Sequence, residues 1–99
     1  VQGGGGAFVV KFISDESMNL TCELSYDEIL AEYKKGIIAG AIIVDDKIMA
    51  QYPNVSISDD DGDIYFCTVF YSGGLVIIGY VWINRENEVN FFSKAITTS

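Results

Sequence analysis

The stretch IYFCTVFYSGGLVIIGYVWI, residues 64–83, consists of two β-branched and aromatic runs joined by Gly73-Gly74. Two glycines between such runs are a strong hairpin signal, because the favoured two-residue turns need positive φ. The turn fixes the register, so Ser72 is expected opposite Leu75 and Ile64 opposite Ile83. One face then carries Ile64, Phe66, Thr68 and Phe70 against Ile83, Val81, Gly79 and Ile77. A three-residue turn at Arg85-Glu86-Asn87 returns the chain through Val89 to Ile96 and adds Val89, Phe91, Ser93 and Ala95 to that face. Thr68, Gly79 and Ser93 form a row of small side chains across its middle, so this is the expected core face. A helix crossing there would fill the trough with Tyr26 or Tyr33.

The opposite face is also apolar. It carries Tyr65, Cys67, Val69 and Tyr71, then Val76, Ile78, Tyr80 and Trp82, then Asn90, Phe92, Lys94 and Ile96. Its aromatics are mostly Tyr and Trp, apolar in body and polar at the tip. A monomer seldom leaves so large an apolar area bare. Three readings follow: the Ile37–Ser58 strands fold over it as a second sheet, it is an interface with another copy or a neighbouring domain, or its rings form a saccharide platform. Tyr65, Tyr71, Tyr80, Trp82 and Phe92 are the candidate binding residues.

Outward from this meander, Phe8 to Ile13 reads as a strand closed by Ser14-Asp15-Glu16-Ser17. Met18 to Leu24 alternates apolar and polar residues and reads as a second strand. Ser25 with Glu28 makes a capping box, Leu24 can staple against Ile29, and Tyr26, Ile29, Leu30 and Tyr33 share one helical face. Lys34 and Lys35 suit the C-terminal dipole and Gly36 a left-handed cap, which predicts a short helix over 25–35. Ile37 to Val44 is apolar on both sides, so its register is weakly specified. Asp45-Asp46 turns it into Lys47 to Tyr52, and Pro53 breaks the run before Val55 to Ser58 because it cannot donate a ladder hydrogen bond. The fold class is α+β: one short helix packed on an antiparallel, mostly meander sheet, or on two sheets.

Gly3 to Gly6 reads as a flexible linker over residues 1–6 ahead of a single domain over 7–99, and a start at Val1 suggests a piece of a longer chain. The phosphate-loop alternative fails because no GxxxxGK[ST] pattern follows. At 99 residues the chain supports one core, burying roughly 60–65% of its unfolded surface. Six basic residues against 14 acidic ones give a net charge of −8, which disfavours nucleic acid and anionic membranes as partners. No apolar run reaches the roughly 18 residues of a membrane span.

Histidine is absent. That removes the usual general base and leaves Ser and Cys without an imidazole partner, and the carboxylates sit at turns and on the helix exterior, so no enzyme and no cofactor are expected. Asp59, Asp61 and Asp63 around Gly62 are a weak calcium candidate. Aligning Gly62 with the glycine of a calcium-binding helix-loop-helix puts Ile57 at the first ligand position and Thr68 where the bidentate Glu belongs. Cys22 and Cys67 read as core thiols or as a disulfide pair; zinc would need two further carboxylate ligands.

The Gly-rich lead into Phe8-Val9-Val10-Lys11-Phe12, the Ser25-Tyr26-Asp27-Glu28-Ile29 helix start, Ala31 to Gly36, Asp45-Asp46, Tyr52-Pro53, Val55 and Val89-Asn90-Phe91 together resemble a small β-rich module of prophage-encoded virion and tail proteins of gut Firmicutes. The resemblance covers nearly the whole chain and implies a surface-displayed part that assembles and contacts a host, through a host-surface glycan or protein. It implies homo-oligomers or neighbouring domains as partners and a virion or extracellular location, and it carries no site motif over. The two cysteines depart from the family's usual pattern. The competing class is a small acidic cytoplasmic protein that binds a basic protein, as an inhibitor or polyanion mimic, which the charge alone would support.

Overall fold

Eight strands and one helix follow one another in the computed structural model, which describes residues 8–17, 19–44 and 49–97. They are β1 (Phe8–Ser14), β2 (Leu20–Cys22), α1 (Tyr26–Lys34), β3 (Ile38–Val44), β4 (Met49–Tyr52), β5 (Asn54–Ile57), β6 (Ile64–Ser72), β7 (Leu75–Ile83) and β8 (Val89–Thr97). The chain is α+β and β-rich, with two four-stranded sheets ordered β2-β1-β3-β4 and β5-β6-β7-β8. The glycine lead, the Asp45-Asp46 turn and the last two residues of the tail lie outside the described residues.

The second sheet is the antiparallel meander that the Gly73-Gly74 turn dictates. Ser72 faces Leu75, Ile64 faces Ile83, and Thr68, Gly79 and Ser93 align across the middle. Both turn glycines have positive φ. The first sheet is mixed, because β1 and β3 run parallel. A parallel pair needs a long crossover, which β2 and α1 supply. The second strand is shorter than its alternation predicts: Asp15 Oδ1 accepts from the Ser17 and Asn19 amides, both at 2.9 Å, so the turn runs on to Asn19 and pairing starts at Leu20.

The two sheets meet face to face over a core of Val10, Phe12, Ala41, Ile43 and Tyr52 from the first, and Ile64, Phe66, Val81 and Ile83 from the second, with Tyr26 and Ile29 from α1. Phe12 meets Phe66 edge-on at 5.6 Å. This corrects two expectations. The Ile37–Ser58 region does not fold over the Tyr65 face: β3 and β4 cover the core face, while β5 pairs with β6 and extends the second sheet. The trough is filled by Tyr52 rather than by a helix tyrosine, its ring carbon lying 3.2 Å from where a Cβ on Gly79 would sit. A strand can bring a ring flat onto the trough, whereas Tyr26 is held at the end of the sandwich, its hydroxyl donating to Gly62 O at 2.6 Å.

The helix forms as its sequence requires. Ser25 Oγ accepts from the Glu28 amide at 3.2 Å and Glu28 Oε1 accepts from the Ser25 amide at 3.0 Å. The amide of Tyr26, left over at the helix start, donates to Asn87 Oδ1 at 2.6 Å. Asn87 can reach it because its own φ is +66°, a left-handed conformation that Asn tolerates.

Pro53 marks the switch between sheets: Tyr52 pairs with Ala41 in the first, Asn54 with Cys67 in the second. The corner presses on Gly40, whose φ is +135° and where an added Cβ would lie only 2.4 Å from Tyr52 O and 2.9 Å from Pro53 Cα. Both atoms are backbone, so neither can swing away. Gly40→Ala is therefore expected to destabilise the fold by about 3 kcal/mol, from strain at positive φ plus overpacking, measured by urea denaturation; a loss below about 1 kcal/mol would contradict the corner geometry.

Candidate functional site

Alternation in the meander sends every second side chain of β6, β7 and β8 away from the core. The register sets Ser56, Tyr65, Trp82 and Asn90 in one cross-strand row and Asn54, Cys67, Tyr80 and Phe92 in the next. Val69, Ile78 and Lys94 follow, then Tyr71, Val76 and Ile96. The rings interlock along the first two rows: Tyr65 stacks on Trp82 at 5.3 Å, meets Tyr80 edge-on at 6.5 Å, and Tyr80 stacks on Phe92 at 6.4 Å. Offset and edge geometries of this kind are favourable beyond the area they bury.

Four of the five candidate residues thus form one continuous aromatic ladder. Tyr71 stands apart, beyond the Val69 row near the Gly73-Gly74 turn, and is 78% exposed. No described element of the chain covers the face, where Val69 is 49% and Phe92 48% exposed. Lys94 is the sole charged residue in the three long strands, and none of the described strands contains a carboxylate. Burial pushes the Tyr65 phenol up, and the Asp61 and Asp63 carboxylates push the same way, so its hydroxyl stays neutral.

Those carboxylates belong to the loop that closes the sandwich beside α1. Asp61 Oδ1 accepts from the Asp63 amide at 3.1 Å, and Arg85 reaches across to Gly62, where an added Cβ would lie 2.8 Å from its guanidinium. The Asp63 amide and Ser58, with a smaller contribution from Arg85, hold the Asp61 carboxyl below its ordinary value. Burial and the Asp61 charge raise that of Asp63, against Arg85. Among the described residues no three His, Cys, Asp or Glu side chains come together as metal ligands, so Asp59, Asp61 and Asp63 do not form a ligand cluster. The loop, which is the β5–β6 connection, instead meets Tyr26 of the helix start and Arg85 of the β7–β8 connection.

Both cysteines are free. Cys22 packs beside the core, and burial raises its thiol. Cys67 lies on the other side of the second sheet, opposite Tyr80, which rules out the bridge. The sequence reading missed Tyr52 and Asn87. The small row Thr68, Gly79 and Ser93 called for a ring, and Pro53 immediately after Tyr52 was the signal that the chain turned there; Asn87 carried none beyond its place in a turn.

Compared with family models, curated proteins and solved structures, the chain matches none.

The acidic loop generates two expectations. Because no three of its carboxylates come together as ligands and Asp61 is engaged by the Asp63 amide, millimolar calcium and a chelator should give the same melting temperature. A lowered carboxyl stabilises the fold above its unfolded pKa and loses that contribution as pH falls through the folded value; a raised one does the reverse. Asp61→Asn should therefore lower, and Asp63→Asn raise, the melting temperature at pH 7, with each difference shrinking as acidification protonates the carboxyl in both the folded and the unfolded state.

Proposed function

We propose that this chain is a non-enzymatic structural or adhesion module, a building block of a surface-displayed, tail-like assembly that packs against like or neighbouring units through the outer face of its second sheet. The observation that carries the reading is the uncovered ladder of Tyr65, Trp82, Tyr80 and Phe92 in a chain of net charge −8 whose described strands hold no carboxylate. Two molecules of like charge repel at most of their surface, and a face free of acids is where they can approach. Contiguous apolar area of this extent is also what separates interaction surfaces from ordinary monomer surface.

The face suits protein packing better than it suits a freely accessible glycan. Its rings are spent on one another in stacked and edge-on pairs, and the rows that continue it are mainly aliphatic, Val69, Ile78, Val76 and Ile96, with Lys94 and Tyr71 as their polar members. β8 also edges the sheet, so lateral addition of a strand is open to it.

Native mass spectrometry and sedimentation on the purified chain test this. The expected result is a stable oligomer that Tyr80→Lys combined with Phe92→Glu converts to a folded monomer, since two charges in the centre of the ladder would be desolvated on association. A monodisperse wild-type monomer that binds no hydrophobic dye would overturn the packing role.

A further inference from the structure

Among the described residues, the core face extends beyond the sheet that covers it. Beyond Tyr52 a cleft of about 350 Å³ opens between the two sheets. Its floor is the row Thr68, Gly79 and Ser93, Phe70 and Phe91 flank it, and Tyr52 closes its inner end. The flanking rings are 48% and 49% exposed, whereas Tyr52 is 5% exposed.

Three hydroxyl-bearing residues line this one cleft, Tyr52, Thr68 and Ser93; none of their hydroxyls has a hydrogen-bond partner among the described residues, and of the three only Tyr52 is buried. The Tyr52 ring and Oη stand 3.2 and 3.5 Å from where a Cβ on Gly79 would be, so the missing side chain is what lets the tyrosine close down on the floor at the inner end of the cleft. Buried hydroxyls are ordinarily paired, and an unpaired one in a nearly dry position needs an explanation. Burial also raises the Tyr52 phenol, keeping it a neutral donor and acceptor. No charged side chain lines the cleft, so an ion would lose its hydration without compensation there.

We propose that this cleft is a binding site for a small, uncharged aromatic molecule carrying one hydroxyl or amide group, its ring packed against one of the flanking rings, Phe70 or Phe91, and its polar group paired with Tyr52 Oη. The volume is at the lower end for ligand pockets and suits one or two fused rings. Aromatic walls with a few convergent polar groups give such a site both affinity and orientation. The site lies on the other side of the sheet from the aromatic ladder, so it does not depend on the packing role proposed above.

Titration of the full chain with 4-methylphenol and, in parallel, with toluene tests the assignment, read from the Thr68 methyl and Gly79 amide resonances. Saturable shifts at these positions are expected, with the phenol binding about tenfold more tightly than toluene, the value of one hydrogen bond. Tyr52→Phe should erase that difference while leaving the amide spectrum folded. Ser93→Leu, on the exposed edge strand, should abolish binding of both probes and decides the matter even where the Tyr52 variant does not fold. Equal affinity for phenol and toluene in the wild-type chain, binding unaffected by Ser93→Leu, or shifts that follow protein concentration and not the added probe would overturn the proposal.

Discussion

The absence of a side chain at Gly79 is the constraint on which the architecture turns. It lets the Tyr52 ring lie directly on the second sheet, between Thr68 and Ser93, so close that a Cβ at Gly79 would press at 3.2 Å on both the ring and the Thr68 methyl. For Tyr52 to arrive there, β4 must run over the middle of the meander, and the chain must then change sheets within one residue. Pro53 makes that change, and Gly40 yields the space for it. The pairs Phe12 and Phe66, Ile43 and Ile64, then fall into one core around the same axis. Because the first sheet is committed to this face, the opposite face of the meander is left to the solvent or to other molecules.

Charge is arranged to make that exposure tolerable. Among the described residues, the acidic residues outside the helix sit in connections and those of α1 face outward, while the strands carry none. A net charge of −8 keeps copies apart in bulk without placing a desolvated ion in any sheet. The same separation makes the acidic loop at 59–63 a structural part, cross-linked through Asp61, Arg85 and the Tyr26 hydroxyl to the helix and the last turn.

Local rules made some of this legible in the sequence and not the rest. The hairpin register follows from Gly73-Gly74, since a two-residue turn leaves one pairing, and the helix follows from Ser25, Glu28 and Gly36, whose roles depend only on near neighbours. The members of the aromatic ladder could be placed on one face by alternation alone. What covers each face could not, because Ile37 to Val44 is apolar on both sides and fits either surface equally well. The parallel pairing of β1 with β3 was likewise hidden: it is decided by where the helix returns the chain, which no local pattern records.

The contact between the Tyr26 amide and Asn87 spans 61 positions of chain. Although its capping box is local, a helix start joined to so distant a residue gains its last amide partner only after Asn87 has been synthesised. Until the last hairpin turn is made, the short helix lacks a partner for that amide and the sandwich lacks its closing junction. Synthesis of the meander therefore completes the N-terminal half as well as the C-terminal one, and a chain truncated ahead of Asn87 would lack this partner for the helix start.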